Sequence, residues 1–74
     1  MRAKADLRLV HTRHPDADQV EVVEVASGES VLFWDVAHRD AKHFVRALRA
    51  DLDGLDAEGF LARWGAVSGP DDLT

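Results

Sequence analysis

Three stretches in the first half of the chain carry the apolar pattern of β-strands. In residues 7–12 the side-chain type alternates along the chain, and Leu7 and Leu9 lie at the odd positions. Such a period of two is typical of a strand with one covered face. Residues 19–26 form a second run that is dense in valine, and residues 31–36 form a third. We therefore predict three strands.

The links between these runs have the chemistry of turns. Pro15 and Asp16 lie in the first link, where both residue types favour a change of direction. Gly28 lies in the second link, between two β-branched runs, and this arrangement predicts a hairpin. In the second run, the alternation of apolar positions shifts by one residue between Val22 and Val23. Either a bulge lies there or both faces of the strand are buried.

From about Asp40 onward the apolar period becomes helical. The positions that recur on one helix face are Ala41, Phe44, Val45, Leu48 and Leu52. Gly54 is expected to end this helix, because glycine is common at helix C-termini. Asp56 then has the character of an N-cap for a short second helix that Gly65 ends.

The order β-β-β-α-α predicts an α+β fold, in which a small antiparallel three-stranded meander is followed by two helices packed on one face of the sheet. Residues 5–67 are expected to form a single domain, and residues 68–74 a flexible C-terminal tail. The core predicted from these patterns consists of Leu9, Val20, Val22, Phe33, Phe44, Val45, Leu48, Leu52, Phe60, Leu61 and Trp64.

The third strand raises the question of what covers its second face. Val31 and Phe33 lie on one face, and Leu32, Trp34 and Val36 on the other. Two helices can cover only one face, so we expect Leu32, Trp34 and Val36 to be left uncovered and to form an interface. The alternative is that Trp34 belongs to the core and the C-terminal segment wraps around it.

Chain length also favours association. A domain of 74 residues buries little apolar surface for its size. We therefore expect self-association, most simply as a twofold homodimer, or binding to another protein.

Composition narrows the classes of function. Lys and Arg number 9 against 14 Asp and Glu, which gives a net charge of −5. This acidity argues against general binding to nucleic acids or to anionic membranes. The absence of cysteine excludes disulfides, thiolate catalysis and cysteine-based zinc sites. No apolar stretch reaches the roughly 20 residues of a membrane span, and we predict a cytoplasmic protein.

Residue usage bears on the genome of origin. The chain has no Ile, Asn or Tyr, and arginine greatly outnumbers lysine. The missing residue types have AT-rich codons, so we expect a high-GC bacterium of the actinobacterial kind. A halophile is the alternative, although a net charge of −5 is mild for one.

The histidines are the first candidates for chemistry. His11 and His14 are three residues apart, and Asp16 and Asp18 follow them. Nitrogen and oxygen ligands at such spacing could hold Zn²⁺ or Ni²⁺. A solvated polar turn is the favoured interpretation, so we predict neither a metal nor a cofactor.

The long helix carries a stripe of basic residues beside its apolar face. These residues, called the basic stripe below, are Arg39, Lys42, Arg46 and Arg49. They fall within about 80° of one another around the helix. The stripe could dock an acidic partner or a phosphate backbone. An ordinary solvated face, partly neutralised by Asp53, is the favoured interpretation.

Catalysis finds little support in the sequence. Residues 51–58 are acidic, but their single glycine does not match a calcium-binding loop. Asp35 and His38 could form an acid–base pair, although Asp35 as a cap at the helix entry is simpler. We predict a non-catalytic accessory or regulatory protein that acts by protein–protein association. The alternative is a nucleic-acid-associated regulator that uses the basic stripe.

Overall fold

The computed structural model describes residues 2–73 and contains three strands and two α-helices. The strands are β1 (Leu7–Arg13), β2 (Asp18–Glu24) and β3 (Ser30–Val36), and the helices are α1 (His38–Gly54) and α2 (Ala57–Trp64). Single 3-10 turns precede β1 at Ala3–Ala5 and follow α2 at Pro70–Leu73. The predicted order of elements is confirmed.

The strands form one antiparallel sheet in the order β1-β2-β3. Leu9 lies opposite Val22 on the neighbouring strand, and Val20 lies opposite Trp34. The predicted α+β meander is thus confirmed. Neither helix among residues 2–73 is long and apolar enough to cross a bilayer.

A bulge and a glycine turn shape the second hairpin. The β2–β3 register shifts between Val22 and Val23, and Val23 pairs with Ser30, which leaves Val31 outside the ladder. Of the two alternatives that the valine pattern left open, the bulge is therefore present. Gly28 has φ of 77°, a left-handed conformation that glycine adopts without steric cost.

The helices cover the face of the sheet that carries Val20, Val22 and Trp34, which we call the inner face. The prediction that Leu32, Trp34 and Val36 lie uncovered is wrong. Trp34 is only 5% exposed, Val36 is buried, and Leu32 packs partly buried against the core. These residues lie on the side of the sheet where Val20 and Val22 are buried. The pairing of β3 with β2 therefore decides which face of β3 the helices cover.

The opposite, outer face of β3 carries Phe33, which is 53% exposed. Its assignment to the core is therefore wrong. β3 is apolar at both odd and even positions, so its own sequence does not distinguish its two faces. Val31 on the same strand is also exposed.

Helix α1 supplies one side of the core, and an aromatic cluster fills the space between α1, α2 and β3. The cluster consists of Trp34, Phe44, Phe60 and Trp64, and its ring centroids lie 5.1 to 6.1 Å apart. The predicted core positions that are buried are Val20, Val22, Phe44, Val45, Leu48, Leu52, Phe60 and Trp64. Leu9 and Leu61 are partly buried against this core.

The segment after α2 completes the burial of Trp34. The indole N–H of Trp34 donates to the Val67 carbonyl at 2.8 Å. The polar edge of the indole is thus paired inside the fold, as a buried tryptophan requires. The alternative that placed Trp34 in the core under the C-terminal segment is the arrangement that the structure adopts.

Helix boundaries differ slightly from those predicted. Helix α1 begins at His38, two residues before the predicted start, and Gly54 is its last residue. Asp56 caps α2 as predicted, because its Oδ1 accepts from the Gly59 N–H at 2.7 Å. The 3-10 turn at Pro70–Leu73 lies in the predicted tail, whose flexibility stays a prediction. Thr74, the last residue of that tail, lies outside the described residues.

Candidate functional site

One end of the inner face carries a charged cluster in place of apolar side chains. Asp18 is the first residue of β2 and has the same parity as Val20 and Val22, so its side chain points inward. Cross-strand pairing puts His11 of β1 opposite Val20, next to Asp18 on this face. His38 is the first residue of α1 and lies close by, because the link from β3 is short. We call these three residues the His–Asp–His cluster.

Asp18 is the centre of this cluster and is only 5% exposed. Its Oδ2 accepts a hydrogen bond from His11 Nε2 at 2.5 Å, and its Oδ1 accepts one from His38 Nδ1. The second ring nitrogen of His38 donates to the Pro15 carbonyl at 3.1 Å. Both carboxylate oxygens of a nearly buried aspartate are therefore satisfied, as burial of a charge demands.

The contacts of His38 favour its protonated form. Each of its ring nitrogens faces an oxygen acceptor, and only the imidazolium form carries two N–H donors. The Pro15 carbonyl, followed by the Asp18 carboxylate, accordingly raises the pKa of His38, although partial burial opposes the shift. The hydrogen bond from His11, with a further contribution from His38, lowers the pKa of Asp18. Both shifts favour an ion pair between Asp18 and His38.

His11 is held differently. Its Nε2 donates to Asp18, whereas its Nδ1 has no partner within residues 2–73. About one third of its side chain is exposed. A histidine oriented by a carboxylate, with its other nitrogen open to solvent, can accept or share a proton with a bound group.

A depression of about 310 Å³ opens beside the cluster. Its polar lining residues are His11, Arg13, Asp18, His38 and Lys42. Arg13 and Lys42 have no carboxylate partner in the part of the chain that the structure describes. The depression therefore combines a carboxylate that is hydrogen-bonded to two histidines with two cations that make no ion pair among residues 2–73.

Of the four residues that were considered as metal ligands, the structure brings only His11 and Asp18 into contact. His14 contacts Gln19 at 3.2 Å, and Asp16 lies in the exposed link between β1 and β2, so neither joins Asp18. Among residues 2–73, no group of three or more metal-ligating side chains is placed to hold an ion.

The sequence pattern also suggested two roles for Asp35, and the structure supports neither. Asp35 pairs with Gln19 across the sheet, whereas His38 contacts Asp18. The acid–base pair between Asp35 and His38 is therefore not formed. Asp35 is not the helix cap either, because the N-cap of α1 is Ala37 and makes no side-chain hydrogen bond.

The basic stripe lies on the exposed side of α1. Its four residues are all exposed, and Lys42 also lines the depression beside the His–Asp–His cluster. Asp53 contacts Lys4 through an ion pair of 2.9 Å, and this contact lowers the pKa of Asp53. The expectation that Asp53 offsets the stripe is weakened, because its charge is already matched by Lys4.

The sequence analysis placed His11 and Asp18 in one candidate ligand set but did not connect His38 with them. The sequence signal that could have revealed the cluster was the position of Asp18 in the strand. Asp18 precedes the buried Val20 and Val22 by two and four residues, so it lies on the same face as they do. An aspartate at an inward position needs partners, and histidines are suited to that role. Comparisons of the chain with protein-family models, with curated proteins and with solved structures found no match.

Proposed function

We propose that this protein is a small non-catalytic accessory or regulatory protein of the cytoplasm that acts by protein–protein association, as a homodimer joined through the outer face of its sheet. The observation that carries the proposal is Phe33, which is 53% exposed on a face that no helix covers. An exposed aromatic on a sheet face is typical of an interaction surface.

The neighbours of Phe33 extend this surface. Val10 is only partly buried on the same face, and Val31 is exposed on the same strand. Glu21 lies between Val10 and Phe33 across the sheet, so the apolar area is divided by one charge. A surface that is partly apolar and partly charged suits an interface between subunits that are also exposed to water as free monomers.

The charges at the corners of the outer face favour a second copy as the occupant. Arg8 lies on β1 near the end of the sheet where Val23 stands, and Asp35 lies on β3 near the opposite end, beside Gln19. A twofold axis can bring each of these side chains close to its opposite charge on the partner. The same face is thus able to complement itself.

Native mass tests the homodimer. Light scattering after size exclusion, at several concentrations, should give a mass near twice 8.2 kDa. Phe33→Ser should weaken the dimer at least about tenfold, because an aromatic side chain that becomes buried commonly dominates an interface. Leu73→Ser is the matched control, since Leu73 is also exposed but belongs to the C-terminal 3-10 turn.

Two results would reject a homodimer joined through the outer face. One is a wild-type chain that stays monomeric at the highest concentration. The other is a dimer that Phe33→Ser leaves intact, because its interface would then lie elsewhere.

Nucleic-acid binding through the basic stripe is the second candidate function. The favouring observation is the Lys4–Asp53 ion pair, which removes Asp53 as a counter-charge to the stripe. Replacing both Arg46 and Arg49 with alanine should weaken oligonucleotide binding and reduce the slope of its dependence on salt. If the wild-type chain binds no oligonucleotide at low salt, this function is rejected.

A further inference from the structure

The depression beside the His–Asp–His cluster has the features of a site for a small anion. It lies at the N-terminal end of α1, a helix of 17 residues, and it is lined by Arg13 and Lys42. Because both oxygens of the Asp18 carboxylate contact histidines and neither contacts Arg13 or Lys42, the charges of these two cations remain available to a ligand. The positive end of the helix adds to the same attraction.

We infer that this depression binds the phosphate group of a small phosphorylated molecule, held by Arg13 and Lys42 with His11 at its side. Arg13 can offer two parallel N–H donors to phosphate oxygens, and Lys42 offers a compact charge. The unpaired Nδ1 of His11 can share a proton with an oxygen of the bound group. The inference stands apart from the dimer, since it concerns the inner face and not the surface around Phe33.

The size of the depression favours a phosphorylated small molecule over free phosphate. Its volume of about 310 Å³ is several times that of a phosphate ion and lies at the lower end of the range for small-molecule sites. Ala41 and Val45 supply apolar lining next to the charged residues. A ligand can therefore place its phosphate among the cations and a short organic part against α1.

The rigid part of the site is the His–Asp–His cluster itself. Asp18 contacts both histidines, and these contacts join β1, β2 and α1 beneath the depression. The cluster therefore fixes the position of His11 and the spacing between the strand that carries Arg13 and the helix that carries Lys42. Such prior ordering lowers the entropic cost of binding.

Titration with inorganic phosphate tests the inference. Backbone amide signals in ¹H–¹⁵N spectra are followed at neutral pH, with chloride at equal ionic strength as the reference. Wild-type protein should show saturable shifts at Asp18, His38 and Lys42. Arg13→Gln and Lys42→Gln should each weaken binding at least about tenfold, because each removes a charge-assisted contact.

Arg49→Gln is the matched control, since it removes the same charge from the same helix but outside the depression. Binding by this variant should match that of the wild type. The spectra also report whether each variant is folded. Absence of saturable shifts in the wild type would overturn the inference, as would equal weakening by Arg49→Gln, which would indicate general attraction to the basic stripe.

An oligonucleotide without terminal phosphates separates this site from a nucleic-acid surface. It carries only phosphodiesters, so it should not displace inorganic phosphate from the wild-type protein. Displacement of inorganic phosphate from the wild-type protein by this oligonucleotide would overturn the assignment to a small phosphorylated molecule. It would make the depression part of a nucleic-acid surface.

Discussion

Two neighbouring regions of the inner face, called here the tryptophan or aromatic end and the aspartate or charged end, satisfy their buried polar groups with different chemistry. Trp34 lies opposite Val20, and one step along the same pair of strands Asp18 lies opposite Val36. At the tryptophan end, aromatic rings fill the space and the indole N–H groups donate to fixed acceptors. At the aspartate end, a carboxylate and two histidines satisfy one another. In the described part of the chain, no buried side-chain polar atom lacks a partner.

The difference lies in what each end leaves to solvent. Trp64 and Phe60 are almost completely buried, so their contribution comes from area and shape. His11 and His38 remain about one third exposed, so their contribution comes from charge and hydrogen bonds. The aromatic end therefore stabilises the fold, whereas the charged end can also meet a ligand. This contrast can be tested residue by residue.

The largest effect is expected at the aromatic end. Trp64→Ala should reduce the free energy of unfolding by roughly 3–5 kcal/mol, the usual cost of removing a buried tryptophan. Urea unfolding followed by circular dichroism measures it. Trp64→Phe keeps a ring but loses the 2.9 Å hydrogen bond to Asp51, so its loss should be clearly smaller. Equal losses for both variants would show that the hydrogen bond, and not ring burial, dominates.

A smaller effect is expected at the charged end. Asp18→Asn keeps the shape of the side chain but removes its charge, so the melting temperature should fall by less than in Trp64→Ala. The pKa of His38 should also fall part of the way toward its ordinary value, since the Pro15 carbonyl remains as an acceptor. An NMR titration of the imidazole signals measures the shift.

Asp16→Asn is the control for that measurement, because Asp16 lies in the exposed link outside the His–Asp–His cluster. It should leave the titration of His38 unchanged. If Asp18→Asn also leaves that titration unchanged, the ion pair between Asp18 and His38 is wrong.

The smallest effect is a dependence of stability on pH. The pKa of His38 is raised, so its stabilising contribution is complete below the ordinary value of 6.5 and disappears as pH rises through the raised pKa. The pKa of Asp18 is lowered, so its contribution is present above 3.8 and disappears as pH falls through the lowered pKa. The cluster should therefore stabilise the fold most between these two values.

Thermal unfolding across the pH range measures this dependence. In the wild type, the melting temperature should decline as pH rises through the His38 titration. In Asp18→Asn this decline should be weaker, whereas Phe33→Ser should keep it, because the outer face carries no part of the cluster. A decline of equal size in the wild type and Asp18→Asn would assign the pH dependence to other groups.

Local sequence features predicted the elements well. The order of strands and helices, the apolar face of α1 and the cap at Asp56 all follow from period, turn residues and capping chemistry. The bulge at Val22 and Val23 was one of two predicted alternatives. It too corresponds to a local shift in the alternation of apolar residues. These features depend on residues that are neighbours along the chain.

Two of the errors concerned relations between distant residues. The sequence predicted that one face of β3 would be uncovered but chose the face of Trp34 instead of that of Phe33. It also considered Asp35 as a partner for His38, whereas the partner is Asp18. Both results depend on how β2 and β3 pair and on where α1 begins. Local sequence patterns predict neither the strand pairing nor the exact start of the helix.

The sequence by itself thus determined the α+β class, the order of elements and the residues that α1 buries, because period and capping act over a few positions. Only the tertiary structure decided which of Phe33 and Trp34 lies inside, since β3 is apolar at both parities and its pairing with β2 selects the face. It also decided that Asp18 lies between His11 and His38. Burial of a carboxylate demands partners, and only folding brings those partners within reach.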